Sequence, residues 1–125
     1  MNRFELEATG NSPYVNIDAE NGLIELKGSS YPEDPVGYYE NILDWITDNF
    51  NKLSQKIEVN IKLEYFNTST SKSLFKLFQL LGKKKKVNNN DVIINWFFRV
   101  EDEDMLEAGE AYKGLSQLPF HFVEV

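Results

Sequence analysis

Asn67-Thr68-Ser69-Thr70-Ser71-Lys72 is the densest run of hydroxyl side chains in the chain. Hydroxyls in such a run have two uses. They accept hydrogen bonds from the unpaired N–H groups of a first helical turn. Where exposed, they can also take a phosphoryl group, because the helix dipole and the free N–H groups favour negative charge at that end. A cap is the plainer reading of an Asn/Ser/Thr cluster before a helix. The redundancy argues for more: one cap needs one residue, and Asn67 to Ser71 offers five in a row.

Other chemistry is mostly excluded. The absence of cysteine removes disulfides, thiolate metal sites and a cysteine nucleophile. With one histidine, His121, no multi-histidine metal site can form. Neither a G-x-G-x-x-G nor a Walker A cradle is present, and there is no nucleophile elbow. Glu101-Asp102-Glu103-Asp104 suits a helix start, with Asp104 and Glu107 at capping-box spacing. Consecutive carboxylates of this kind rarely converge on one divalent ion. Lys83 to Lys86 reads as solvated cations at a helix C-terminus. Nothing here singles out a catalytic group or a cofactor cradle, so the residues alone stop at an α/β domain with a polar, exposed strand-to-helix junction. No enzyme activity and no cofactor are expected; the alternative of a small-molecule enzyme or ligand carrier requires a concave pocket with convergent polar groups.

Charge and hydropathy narrow the partners. A net charge of −7 argues against nucleic acid. No apolar run approaches the ~20 residues of a membrane span, so membrane insertion is not expected. Met1-Asn2-Arg3-Phe4-Glu5 lacks the form of a signal peptide, and a cytoplasmic location is expected.

The elements that must position the hydroxyl run follow from periodicity. Ile57, Val59, Ile61, Leu63 and Tyr65 alternate as one strand face, and Leu74, Leu77, Phe78 and Leu81 recur as one helix face. Gly82 reads as the stop of that helix. Upstream, Phe4, Leu6 and Ala8 suggest a short strand. Val15 and Ile17 pair with Leu23 to Lys27 across the turn Asp18-Ala19-Glu20-Asn21-Gly22, and Gly28 to Pro32 ends that hairpin. Pro35 opens a helix whose apolar stripe is Tyr39, Ile42, Leu43, Ile46, Phe50 and Leu53. Val92 to Val100, apolar on both faces, reads as a central strand covered on both sides. Met105, Ala108, Gly109 and Tyr112 mark a short helix packed closely on the sheet, and Phe120 to Val123 a last strand. The expected class is α/β: one domain over residues 1–125, a mixed, mostly parallel sheet with an N-terminal antiparallel hairpin and about three helices.

Several stretches together resemble the SiaC family of bacterial regulatory phosphoproteins. They are Pro13 to Asp18, Gly22 to Glu33, Tyr65 to Lys72, Asn95-Trp96, Glu101 to Asp104, and Gly109-Glu110. The resemblance implies a fold similar to STAS-domain anti-sigma-factor antagonists, and a partner-switching protein. A kinase with a histidine-kinase-like ATPase domain would phosphorylate Thr68, and a PP2C-type phosphatase would remove the phosphate. The unphosphorylated form would bind and stimulate a diguanylate cyclase, raising cyclic di-GMP and favouring biofilm. Asn67, Ser69, Thr70, Ser71 and Lys72 would form the phosphosite neighbourhood and partner surface. Thr70 stands where the family commonly has serine, which makes Ser69 and Thr70 competing acceptor candidates. The alternative is a constitutive STAS-like interaction module in which Thr68 serves only as a cap.

Overall fold

In the computed structural model, which describes residues 2–125, six strands form one sheet in the order β1 to β6. The strands are β1 (Arg3–Leu6), β2 (Tyr14–Asp18), β3 (Leu23–Ser30), β4 (Lys56–Phe66), β5 (Asp91–Phe98) and β6 (Phe120–Glu124). The first two pairings are antiparallel and the other three parallel. Each parallel pairing is bridged by a helix: α1 (Pro35–Asp48), α2 (Thr68–Asn88) and α3 (Glu103–Ser116). Crossovers of one hand, all stepping the same way across the sheet, place the three helices on one face. There α1 packs against α2 and α2 against α3.

The turn chemistry of the hairpin holds. Gly22 sits at φ +66, and a Cβ there would lie 2.0 Å from the Lys56 carbonyl oxygen, so only glycine fits. Pro35 opens α1, capped by Asp34, whose carboxylate accepts from the Gly37 N–H at 3.1 Å.

The second face of the sheet departs from expectation. Among the described residues no helix covers it: β5 lies next to the edge strand β6, and within β5 only Val92, Ile94 and Trp96, on the helix side, are fully buried. The opposite residues join a half-exposed polar lattice. Asn95 donates to Asn60 at 2.8 Å and to Glu58 at 2.9 Å. Lys62 pairs with Glu25 at 3.1 Å and lies over the Phe97 ring at 5.0 Å. Ile93 and Phe97 thus reflect β-propensity and cross-strand contact rather than a second core.

Three helix boundaries also move. Helix α1 ends at Asp48, so Phe50 and Leu53 of the expected stripe are buried from a separate 3-10 turn (Phe50–Lys52) and the residue after it. Gly82 does not stop α2: the helix runs through the lysines to Asn88 and ends at Asn89, which takes the left-handed conformation at φ 57. Lysines favour helix enough to carry it past one glycine. Helix α3 is capped by Asp102, not Asp104; Asp102 accepts from the Met105 N–H at 3.0 Å.

Trp96 is the hub of the core, in contact with the rings of Phe66, Phe78, Tyr112 and Phe120. Its indole N–H donates to the Met105 carbonyl at 2.9 Å. The small residue facing it is necessary, since a Cβ on Gly109 would lie 2.6 Å from Trp96. Gly109→Ala is expected to lower stability by about 1–3 kcal/mol in urea denaturation, through overpacking. Gly114→Ala, in the same helix with nothing within 4 Å, should be neutral or stabilising.

Candidate functional site

The junction between β4 and α2 is built by a slip in register. Gly28 pairs with Leu63, but Ser29 pairs with Tyr65, so Glu64 is an extra residue on β4. One extra residue exchanges the two faces of a strand. Tyr65, expected to continue the buried alternation, therefore points outward with 55% of its surface exposed, and Phe66 turns in against Trp96. The slip also brings Ser30, fully buried, opposite Phe66 at the start of the junction. Strand β3 thus continues to Ser30, rather than breaking at Gly28 as expected.

Asn67 is the cap of α2. Its side chain accepts from the Thr70 N–H at 2.9 Å. Its own N–H donates to the Ser30 carbonyl at 3.2 Å. Below it lies a buried chain of hydroxyls. Tyr39 and the Ser30 Oγ are 2.7 Å apart, and the Ser30 Oγ lies 2.9 Å from the Thr70 Oγ1. The Thr70 hydroxyl donates to the Ser30 carbonyl at 3.0 Å. With that last bond fixed, one proton order satisfies every member: Tyr39 donates to Ser30, Ser30 to Thr70, and Thr70 to the carbonyl. A second pin holds the next residue, where the Tyr112 hydroxyl donates to the Ser71 carbonyl at 2.8 Å and receives the Ser71 hydroxyl at 2.9 Å. The start of α2 is therefore tied to β3, α1 and α3 together.

This geometry divides the hydroxyl run. Thr70, expected among the acceptors and partner contacts, is fully buried and satisfied, so it serves the interior. Ser71 is half-buried on Tyr112. Thr68 and Ser69 are exposed, and among the described residues neither hydroxyl has a hydrogen-bond partner. Thr68 is the first residue of α2, and Lys72, also exposed, lies one turn on. Since Asn67 makes the cap, Thr68 is not held in place by that duty.

Three residues before Thr68, Tyr65 belongs to a feature that the sequence pattern concealed. Tyr31 and Tyr65 are exposed, and their rings meet edge to face at 5.9 Å. The Tyr31 hydroxyl donates to the Gly10 carbonyl at 2.9 Å. Paired, rigid, exposed aromatics are the composition of an interface anchor. In the sequence, Tyr65 has the parity of a core position, and no residue type announces the bulge at Glu64.

Burial raises the Tyr39 hydroxyl well above its usual 10.0, and burial raises Tyr112 in the same direction. Both are neutral in the folded chain. A raised folded value means that their contribution is complete below about pH 10 and is lost as the pH climbs through the folded value. Phenolate absorbance from these two tyrosines is expected to appear together with loss of structure by circular dichroism, and Tyr39→Phe should remove part of that alkaline limb. The hydroxyl run is expected to split by stability. Asn67→Ala should cost about 1 kcal/mol, and Thr70→Val about 1–3 kcal/mol through the orphaned Ser30 hydroxyl. Thr68→Ala should stay within about 0.5 kcal/mol of wild type in urea denaturation.

No group of three or more potential metal ligands exists among the described residues, and no described helix is long and apolar enough to cross a membrane. Comparison with known proteins gives a consistent result. The model of a family described as SiaC family regulatory phosphoprotein matches residues 6–125. An uncharacterised protein of Pseudomonas aeruginosa is 23% identical, covering 96% of this chain and 94% of that one. The solved structure of SiaC from the same organism superposes with a TM-score of 0.89 at 22% identity, over 100% of both chains. The solved structure of diguanylate cyclase SiaD in complex with its activator SiaC contains a chain that matches with a TM-score of 0.87 at 24% identity, over 98% of this chain and 99% of that one.

Proposed function

This chain belongs to the SiaC family of regulatory phosphoproteins, and on that premise we propose that it is a non-enzymatic switch whose binding to an effector is set by reversible phosphorylation of Thr68. The observation that carries the proposal is the division of labour at the start of α2. Asn67 caps the helix and Thr70 is buried beneath it, while Thr68 stands exposed and unbonded at the position where added negative charge is best tolerated.

The effector is a diguanylate cyclase, and the readout is cyclic di-GMP and biofilm formation. Support comes from the solved complex in which a protein of the same fold is the activator of such a cyclase. The kinase carries a histidine-kinase-like ATPase domain, the phosphatase is of PP2C type, and the pathway is cytoplasmic. One domain over residues 1–125 meets all three partners in turn through the face around Thr68.

A phosphate on Thr68 adds about −1.5 to −2 charge at neutral pH. The α2 dipole and Lys72 accommodate that charge, so the fold stays as it is. A partner surface shaped to neutral hydroxyls and to the Tyr31–Tyr65 pair meets a hydrated dianion instead. Desolvating it without a cation costs several kcal/mol, on the order of what a transient complex has to lose. Since the kinase must reach the same hydroxyl, it and the effector compete for one face.

The test is cyclase activation in vitro by wild type, Thr68→Ala and Thr68→Glu, with the phosphosite mapped on protein from native cells. Phosphate on Thr68, activation by Thr68→Ala and at least tenfold weaker activation by Thr68→Glu are expected. Equal activation by all three, with no phosphate on Thr68, would leave a constitutive interaction module. Tyr65→Ala is expected to weaken cyclase binding by about 1–3 kcal/mol without altering the thermal midpoint, as an exposed interface anchor should.

A further inference from the structure

Helix α2 contains six lysines and no acidic residue, in a chain with a net charge of −7. Because the helix continues past Gly82, the lysine run keeps helical spacing instead of fraying into a loop. At 3.6 residues per turn, Thr68, Lys72, Lys76, Gln79, Lys83 and Lys86 fall within a strip roughly 80° wide and about 27 Å long. All six are exposed. Among the described residues, no lysine of α2 makes an ion pair.

The neighbours on either side carry the opposite sign. Helix α1 exposes Glu40, Asp44 and Asp48 and has no cation. Helix α3 exposes Glu103, Asp104, Glu107 and Glu110 against a single lysine, Lys113 in its last turn. The helix dipole accounts for Lys85 and Lys86 in the last turn, but Lys72 and Lys76, near the positive end, gain nothing from it. The result is one positive rail between two negative ones.

We propose that the outward strip of α2 is the docking track for an acidic helical segment of the effector protein, with Thr68 at its head. The width of the track selects that occupant. Neighbouring helix axes lie about 8–10 Å apart, so an anionic membrane or a nucleic-acid duplex would press against the carboxylates of α1 and α3. A single acidic helix on the crest of α2 meets lysines alone. The strip also explains how one phosphate acts on a long contact. Phosphothreonine at position 68 engages Lys72 from within the chain and puts negative charge where the leading carboxylates of the segment would lie. That clause rests on the switch proposed above; the track itself does not.

The probe is a fluorescein-labelled glutamate-rich helical peptide with carboxylates at i, i+4 spacing, titrated in fluorescence anisotropy at several salt concentrations. Wild type should bind it, more weakly as salt rises. The double variant Lys76→Glu/Lys83→Glu should lose about tenfold or more in affinity. Arg3→Glu/Lys27→Glu, an equal charge change on β1 and β3, should lose little, and Thr68→Glu should weaken binding. Absence of peptide binding, an equal loss in both double variants, tighter capture by phosphatidylserine vesicles or duplex DNA, or self-association at the strip would each overturn the track. In a parallel arm with the cognate cyclase, Lys76→Glu/Lys83→Glu should reduce activation, and unchanged activation would remove the strip as the effector surface. If the cyclase ignores wild type while the peptide binds as described, the cyclase reading fails and the track stands.

Discussion

The buried hydroxyl of Ser30 is the point on which this structure turns. A polar group with no exposure is stable only when fully bonded, and Ser30 is bonded on every side: by Tyr39 and Thr70 at its hydroxyl, and by Asn67 and Thr70 at its carbonyl. Those bonds join the end of β3 to α1 and to the first turn of α2. They exist because the extra residue at Glu64 brings β4 into a register that sets Phe66 opposite Ser30. Without the slip, the last residues of β4 would keep their parity, and Tyr65 would compete with Phe66 for the place against Trp96.

Fixing the helix start in this way frees its first residue. The cap, the buried pin and the Tyr112 clamp occupy Asn67, Thr70 and Ser71. Thr68 is left with no structural duty, on a backbone that its neighbours hold rigid. A modification site has opposing needs: access for an enzyme, and a conformation that does not change with the modification. Separating the tasks along five consecutive residues would meet both at Thr68, the site proposed above. The same ties hold the start of α2, so under the proposed switch a partner that spanned Thr68, the Tyr31–Tyr65 pair and the lysine strip would feel a change of charge at any one of them.

Much of this was legible in the chain. Period and turn chemistry place the hairpin, α1, β4 and α2, because those signals are local and strong. The position of the hydroxyl run at a strand-to-helix junction follows from the same patterns. What escaped depends on long-range pairing. The bulge at Glu64 has no sequence mark, so Tyr65 carried the parity of a core residue. Gly82 has the type of a helix stop, but the lysines beyond it carry the helix on to Asn89. Asp102 and Asp104 are alike in chemistry, and only the start of α3 chooses between them. Ile93 and Phe97 are as apolar as core residues, and only the placing of all three helices on one side leaves them half-exposed. Thr70 differs from Thr68 by two positions, or about 200° around α2, and that rotation separates a buried pin from an exposed hydroxyl.

The most direct test of the switch is calorimetric titration of the cognate cyclase with protein phosphorylated stoichiometrically at Thr68, against the unmodified protein, with the thermal midpoint of each form recorded alongside. The account predicts an affinity at least a hundredfold lower for the phosphorylated form, a loss of about 2.7 kcal/mol or more, with an unchanged midpoint, because the phosphate acts on the partner and not on the fold. Equal affinities, or a loss of binding that comes only with a lowered midpoint, would contradict it.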